Sequence, residues 1–145
     1  MEESTIRRLL HVIEHRLARL QPLVGVSIDS YVKDQDLQDK VERNLEVLIQ
    51  ACTDLGAHVL ADLPLPMPES NRAVFTTLAA QGIIDRGLGE RLARMAGFRN
   101  LLAHEYADLI PEKVLASLRS LDDVRTYVQQ LTRYLRDQGL FANAH

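Results

Sequence analysis

An all-α, antiparallel bundle of about five to six helices is predicted by three features of the residue pattern. Apolar residues recur at alternating steps of four and three along three long windows, which is the period of one helix face. The prolines fall between those windows, where helices must stop. No window shows the strict alternation and β-branched enrichment of a strand.

Residues 5–20 read as a first helix, with Ile6, Leu10, Ile13, Leu17 and Leu20 on one stripe and Pro22 ending it. The segment LVGVSIDSYVKD follows, with room for a short irregular helix over residues 28–33. The longest periodic run spans residues 36–62, where Val41, Leu45, Leu48, Cys52, Leu55 and Val59 form one apolar seam. The three prolines of LPLPMPES then make a loop. Ser70 or Asn71 can cap the next helix, which carries Val74, Phe75 and Leu78. Gly82, Gly87 and Gly89 lead to a helix over roughly residues 88–105. Pro111 suits the first turn of a short helix in LIPEKVLASL. Ser120, with Asp123 three residues on, resembles a capping box. The last helix it would open has Val124, Val128, Leu131 and Leu135 as its buried stripe, with Gly139 just past its end.

At 145 residues, 46% hydrophobic and 26% charged, the chain suits one domain with one core, here residues 1–145. It shows neither a signal-peptide start nor an uncharged apolar run long enough for a membrane span. A single cysteine, Cys52, cannot form an internal disulfide, so a cytoplasmic setting is expected. Net charge is −3. That argues against nucleic-acid binding by bulk attraction, which draws on a surplus of Lys and Arg. An RNA-handling role would need a local site.

The fifth of the main segments holds the chemistry. Leu88, Leu92, Met95 and Leu102 share a helix face, and Arg99 falls near its middle. A guanidinium in an apolar stripe needs a partner or ligand. It can pair with an acid on the long helix such as Asp54, snorkel to water, or line a polar cleft against a second copy. His104 follows five residues on, and Asn100, four before it, shares its helical face. An imidazole passes protons near neutral pH, and a guanidinium grips phosphate as a two-pronged fork. RNA cleavage needs both: one group for the proton of the 2′-hydroxyl or leaving oxygen, and one for the developing phosphorane charge. Among lesser candidates, Asp54 can orient Arg99 or sit in solvent, and Glu46 is explained by an intrahelical pair with Arg43. Cys52 lies on the seam as inert core. His11, His15, His58 and His145 form no HExxH or Cys/His cluster, so no metal ligands are assigned. His11 and His15, four apart, read as a solvated helix face.

The string RNLLAHEY, Arg99 to Tyr106, resembles the R-x4-H-x-Y motif of HepT-like toxins of the HEPN superfamily, including the asparagine after the arginine. VERNLEVLIQACTDLGAHVL, the proline loop, FTTLAAQGII and MAGFRNLLAHEY also follow that family's order, so the likeness covers roughly residues 5–135. The resemblance implies a homodimeric, metal-independent endoribonuclease without cofactors, acting on tRNA or mRNA. It implies the toxin of a type II toxin–antitoxin pair. Two R-x4-H motifs would face each other across the subunit interface, with Arg99 on the scissile phosphate, His104 in proton transfer and Asn100 positioning the site. An MntA-type nucleotidyltransferase antitoxin would silence it by AMPylation of Tyr106, a bulky anion that competes with RNA phosphates for Arg99. An ideal helix puts Tyr106 about 160° from His104. Either the helix ends before Tyr106, or the modification acts chiefly around Arg99.

The competing readings are a non-catalytic HEPN module that binds a nucleotidyltransferase, and a purely structural bundle. The full Arg99–His104–Tyr106 set favours the enzyme. A structural bundle leaves Arg99 unexplained.

Overall fold

The computed structural model describes residues 2–104 and 109–141. These form seven α-helices: α1 (Glu3–Leu20), α2 (Ile28–Lys33), α3 (Gln35–Ala61), α4 (Asn71–Ala80), α5 (Arg86–Ala103), α6 (Pro111–Leu118) and α7 (Leu121–Asp137). A 3-10 turn, Gln21–Leu23, continues α1 through Pro22. The described residues contain no strand. The bundle therefore has the expected class, and the short helices α2 and α6 raise its count to seven. Among the described residues, no helix is long and apolar enough to cross a membrane.

The 27-residue α3 is the axis of the fold. It packs against α1, α2, α4, α5 and α6, which explains why its seam from Val41 to Val59 is buried throughout. Asp34 opens it by accepting the Leu37 N–H at 3.1 Å, and Ser70 opens α4 through Ala73 N–H at 3.1 Å. Pro111 stands at the first turn of α6. Gly139, at φ +92°, follows α7 in the left-handed conformation that closes helices.

Close approaches at α3 and α5 depend on glycine. A Cβ on Gly56 would lie 2.7 Å from the Tyr127 hydroxyl and from Val74 Cγ1. A Cβ on Gly89 would meet Ala79 Cβ at 2.8 Å and the Phe75 carbonyl at 3.1 Å. These positions let α4 nest against α3 and α5. Tyr127, fully buried on α7, donates its hydroxyl hydrogen to the Cys52 carbonyl on α3 at 2.7 Å. Its ring meets Phe75 edge-on at 5.4 Å.

The expected stripes are rotated on the two outer helices. Leu9 is buried on α1 and Leu10 only half-buried; Tyr127 is buried on α7 and Val128 only half-buried. Residue type marks an apolar sector, but the neighbouring helix decides which edge of it is covered. The capping box at Ser120 does not form. The Ser120 hydroxyl donates backward to the Ala116 carbonyl at 3.0 Å, and the Asp123 carboxylate accepts from Arg91 at 3.1 Å. Two nearer partners on α6 and α5 win over the helix terminus.

Candidate active site

Helix α5 is anchored at its start by a reciprocal pair. Asp85 N–H donates to Gln130 Oε1 at 2.8 Å, and Gln130 Nε2 donates to Asp85 Oδ2 at 2.7 Å. From there Leu88, Leu92, Met95 and Leu102 are buried on one face. Arg99 shares that face, half-buried. Its Nε is fully buried and has no hydrogen-bond partner among the described residues. Such an atom costs about 1–3 kcal/mol if left unmatched.

Arg99 looks into a cavity of about 300 Å³ that Arg8, Arg43, Glu46, Gln50 and Asp54 also line. The ion pair with Asp54 does not form. Asp54 accepts instead from Gln50 Nε2 at 2.8 Å, and Glu46 is held by Arg43 at 2.6 Å. Three guanidiniums thus face two carboxylates, one of which is already paired. The cavity's lining is formally +1.

Helix α5 stops at Ala103, short of the expected residue 105. His104 is its C-terminal flanking residue, with extended backbone (φ −105°, ψ 99°) and its N–H donating to the Leu101 carbonyl at 3.4 Å. The helix therefore ends before Tyr106, although Tyr106 itself lies outside the described residues. Asn100 and His104 are exposed and do not line the Arg99 cavity. Within one chain, Arg99 faces its cavity from α5, while His104 stands just beyond the helix end and outside that cavity's lining.

Two polar contacts escaped the sequence reading. The buried Asn44 accepts from Arg16 at 3.0 Å and donates to the Lys40 carbonyl at 2.7 Å. Tyr31, also buried, donates to Glu42 at 3.0 Å. Burial holds the Glu42 carboxyl above its ordinary range, opposed by that hydrogen bond and reinforced by Asp39. A polar residue four or eleven positions from its partner gives no sign that either is buried. Burial also pushes the Cys52 thiol far up, consistent with inert core. Among the described residues no cluster of three or more His, Cys, Asp or Glu side chains converges.

The fold and the arginine–histidine spacing at the end of α5 define a HEPN-like helical bundle. The chain belongs to the ribonuclease HepT-like family, which it matches over residues 13–131. It is 30% identical over 136 residues to the tRNA nuclease HepT of Aphanizomenon flos-aquae, covering 93% of this chain and 92% of that one. Over 97 residues it is 34% identical to the mRNA nuclease HepT of Shewanella oneidensis, covering 67% and 72% of the two. Its fold matches a tri-AMPylated HEPN toxin from Shewanella oneidensis, solved in complex with an MNT antitoxin. The TM-score is 0.81 at 28% identity, covering 92% of this chain and 99% of the toxin.

Proposed function

We propose that this chain is a toxin endoribonuclease, a single HEPN domain over residues 1–145. It acts in the cytoplasm as a homodimer and needs no metal ion. The observation that carries the reading is Arg99, set on the apolar face of α5 and lining with Arg8 and Arg43 a cavity of about 300 Å³. A guanidinium placed there is accounted for if a phosphate oxygen of the substrate is its partner.

In this reading the 2′-oxygen attacks phosphorus, a 2′-O–P bond forms, and the P–O5′ bond breaks. His104 takes the 2′ proton or supplies one to the leaving oxygen, and its counterpart on the facing copy or water serves the other transfer, so that the 5′ oxygen leaves as a hydroxyl. Arg99 binds the phosphoryl oxygens as negative charge builds on them. Asn100 positions the site. That His104 stands outside the lining of the Arg99 cavity supports a composite cleft, in which two copies supply facing motifs. An MntA-type nucleotidyltransferase antitoxin would transfer AMP from ATP to the Tyr106 hydroxyl, releasing pyrophosphate and blocking the cleft. The relatives named for tRNA and for mRNA leave both as substrate classes.

The test is RNA cleavage in EDTA by wild-type protein and His104→Ala, against total tRNA and mRNA, after intact mass confirms that no AMP is attached. Cutting by wild type alone, lost after treatment with the nucleotidyltransferase and ATP and retained in treated Tyr106→Phe, is expected. No cutting by unmodified wild type would move the assignment to a non-catalytic module that binds a nucleotidyltransferase.

A further inference from the structure

A second cleft lies on another side of α5 from the Arg99 cavity. It encloses about 610 Å³ between α4, α5, α6 and the start of α7, within the roughly 300–1,000 Å³ of ligand clefts. Arg72, Arg91, Arg94 and Lys113 line it together with one carboxylate, Asp123. Its lining is formally +3 in a chain of net charge −3. Asp123 engages Arg91 at 3.1 Å. Arg72, Arg94 and Lys113 form no ion pair among the described residues.

The floor is apolar, with Met95, the half-buried Phe98 ring and Leu101, which is 44% exposed. The Arg72 side chain packs over Gly97, 3.4–3.6 Å from where a Cβ would stand, which is ordinary contact distance. At its far end the cleft reaches Leu101, whose carbonyl receives the His104 N–H.

We propose that this cleft docks single-stranded RNA next to the cleaved bond, with phosphates on Arg72, Arg94 and Lys113 and a base against Phe98. The proposal rests on the ribonuclease reading of Arg99 and His104. Guanidiniums over an aromatic and apolar floor suit an unstacked strand, whose bases offer flat faces between charged phosphates. The cleft's lining reaches Leu101, three residues before His104, so a strand docked there runs towards the end of α5 that carries the motif. A second copy meeting this cleft across a two-fold axis would set +3 against +3. An acidic protein segment would match the charge but would make no use of the Phe98 ring as a stacking face for bases.

The experiment measures binding of fluorescein-labelled single-stranded RNA by anisotropy across a salt series, in a His104→Ala background so that no RNA is cut. Combined Arg72→Ala, Arg94→Ala and Lys113→Ala should weaken binding about tenfold or more. It should also reduce the slope of log affinity against log salt by about 2, since each single-strand phosphate contact contributes about 0.7. Arg94→Gln alone should remove about 0.7, which keeps the test valid if the triple variant fails to fold. The charge-retaining set Arg72→Lys, Arg94→Lys and Lys113→Arg should keep the slope. Unchanged affinity and slope in folded alanine variants would overturn the docking site. So would intact RNA binding with lost binding of the nucleotidyltransferase, which would assign the cleft to a protein partner. If wild type cuts no RNA but the slope still falls in the variants, the cleavage assignment fails and the docking site stands.

Discussion

Arg99 and Glu42 are two ionisable side chains that the fold keeps partly out of water, with opposite consequences. The Arg99 Nε has no hydrogen-bond partner among the described residues, a standing cost to the fold. Arg99→Met keeps the length of the side chain and removes the polar atom. Chemical unfolding should show this variant more stable by about 1 kcal/mol, while RNA cleavage is lost. A less stable variant would mean that Glu46 and Asp54 already satisfy the guanidinium. Glu42 is held above its ordinary pKa mainly by burial. A raised folded pKa contributes stability that is present below the ordinary carboxylate pKa and lost as pH rises through the raised one. Glu42→Gln keeps an acceptor for the Tyr31 hydroxyl and removes the charge. The melting-temperature difference from wild type should be smallest in acid and grow in favour of the variant towards neutral pH. An advantage confined to acid would reverse the assignment. Of these two residues, Arg99 was legible in the sequence because a charge interrupts a regular apolar stripe. Glu42 was not, because its burial comes from Tyr31, eleven residues away on another helix.

Among the elements, α3 and α4 matched their sequence signals closely, since long apolar periodicity and a serine cap act locally. The end of α5 did not. No glycine or proline follows Ala103 until Pro111, so local sequence gave no reason for the helix to stop there. The rotation of the buried faces on α1 and α7 was hidden for a similar reason: it is decided by neighbours. Gly56 and Gly89 were read only as breaks in a pattern or passed over, yet they set the distances between α3, α4, α5 and α7. Gly56→Ala and Gly89→Ala should each destabilise the fold by about 1–3 kcal/mol through overpacking, against a gain of up to about 1 kcal/mol from helix propensity. Urea midpoints will test this. A midpoint at or above wild type in either variant would show that the helices can move apart freely.

Over the whole molecule, charge is segregated rather than scarce. The net charge of −3 predicts poor RNA binding only if charge is spread evenly. Arg72, Arg91, Arg94 and Lys113 come from three helices that converge on one cleft, and their grouping is a product of tertiary structure. The fold class and the arginine–histidine motif were legible because they rest on short-range spacing. The Arg99 cavity and the cationic cleft were not, since each is lined from several helices.

The Arg99 nitrogen, unmatched among the described residues, also bears on how such a gene would decay. Most substitutions that abolish an enzyme also weaken its fold. At position 99 an apolar replacement would disarm the proposed toxin while relieving strain on the chain that carries it. Cells surviving its unopposed expression should therefore hold well-folded protein altered at this position more often than chance allows. Disarmed copies of this kind would persist as stable, binding-competent proteins that still engage the antitoxin.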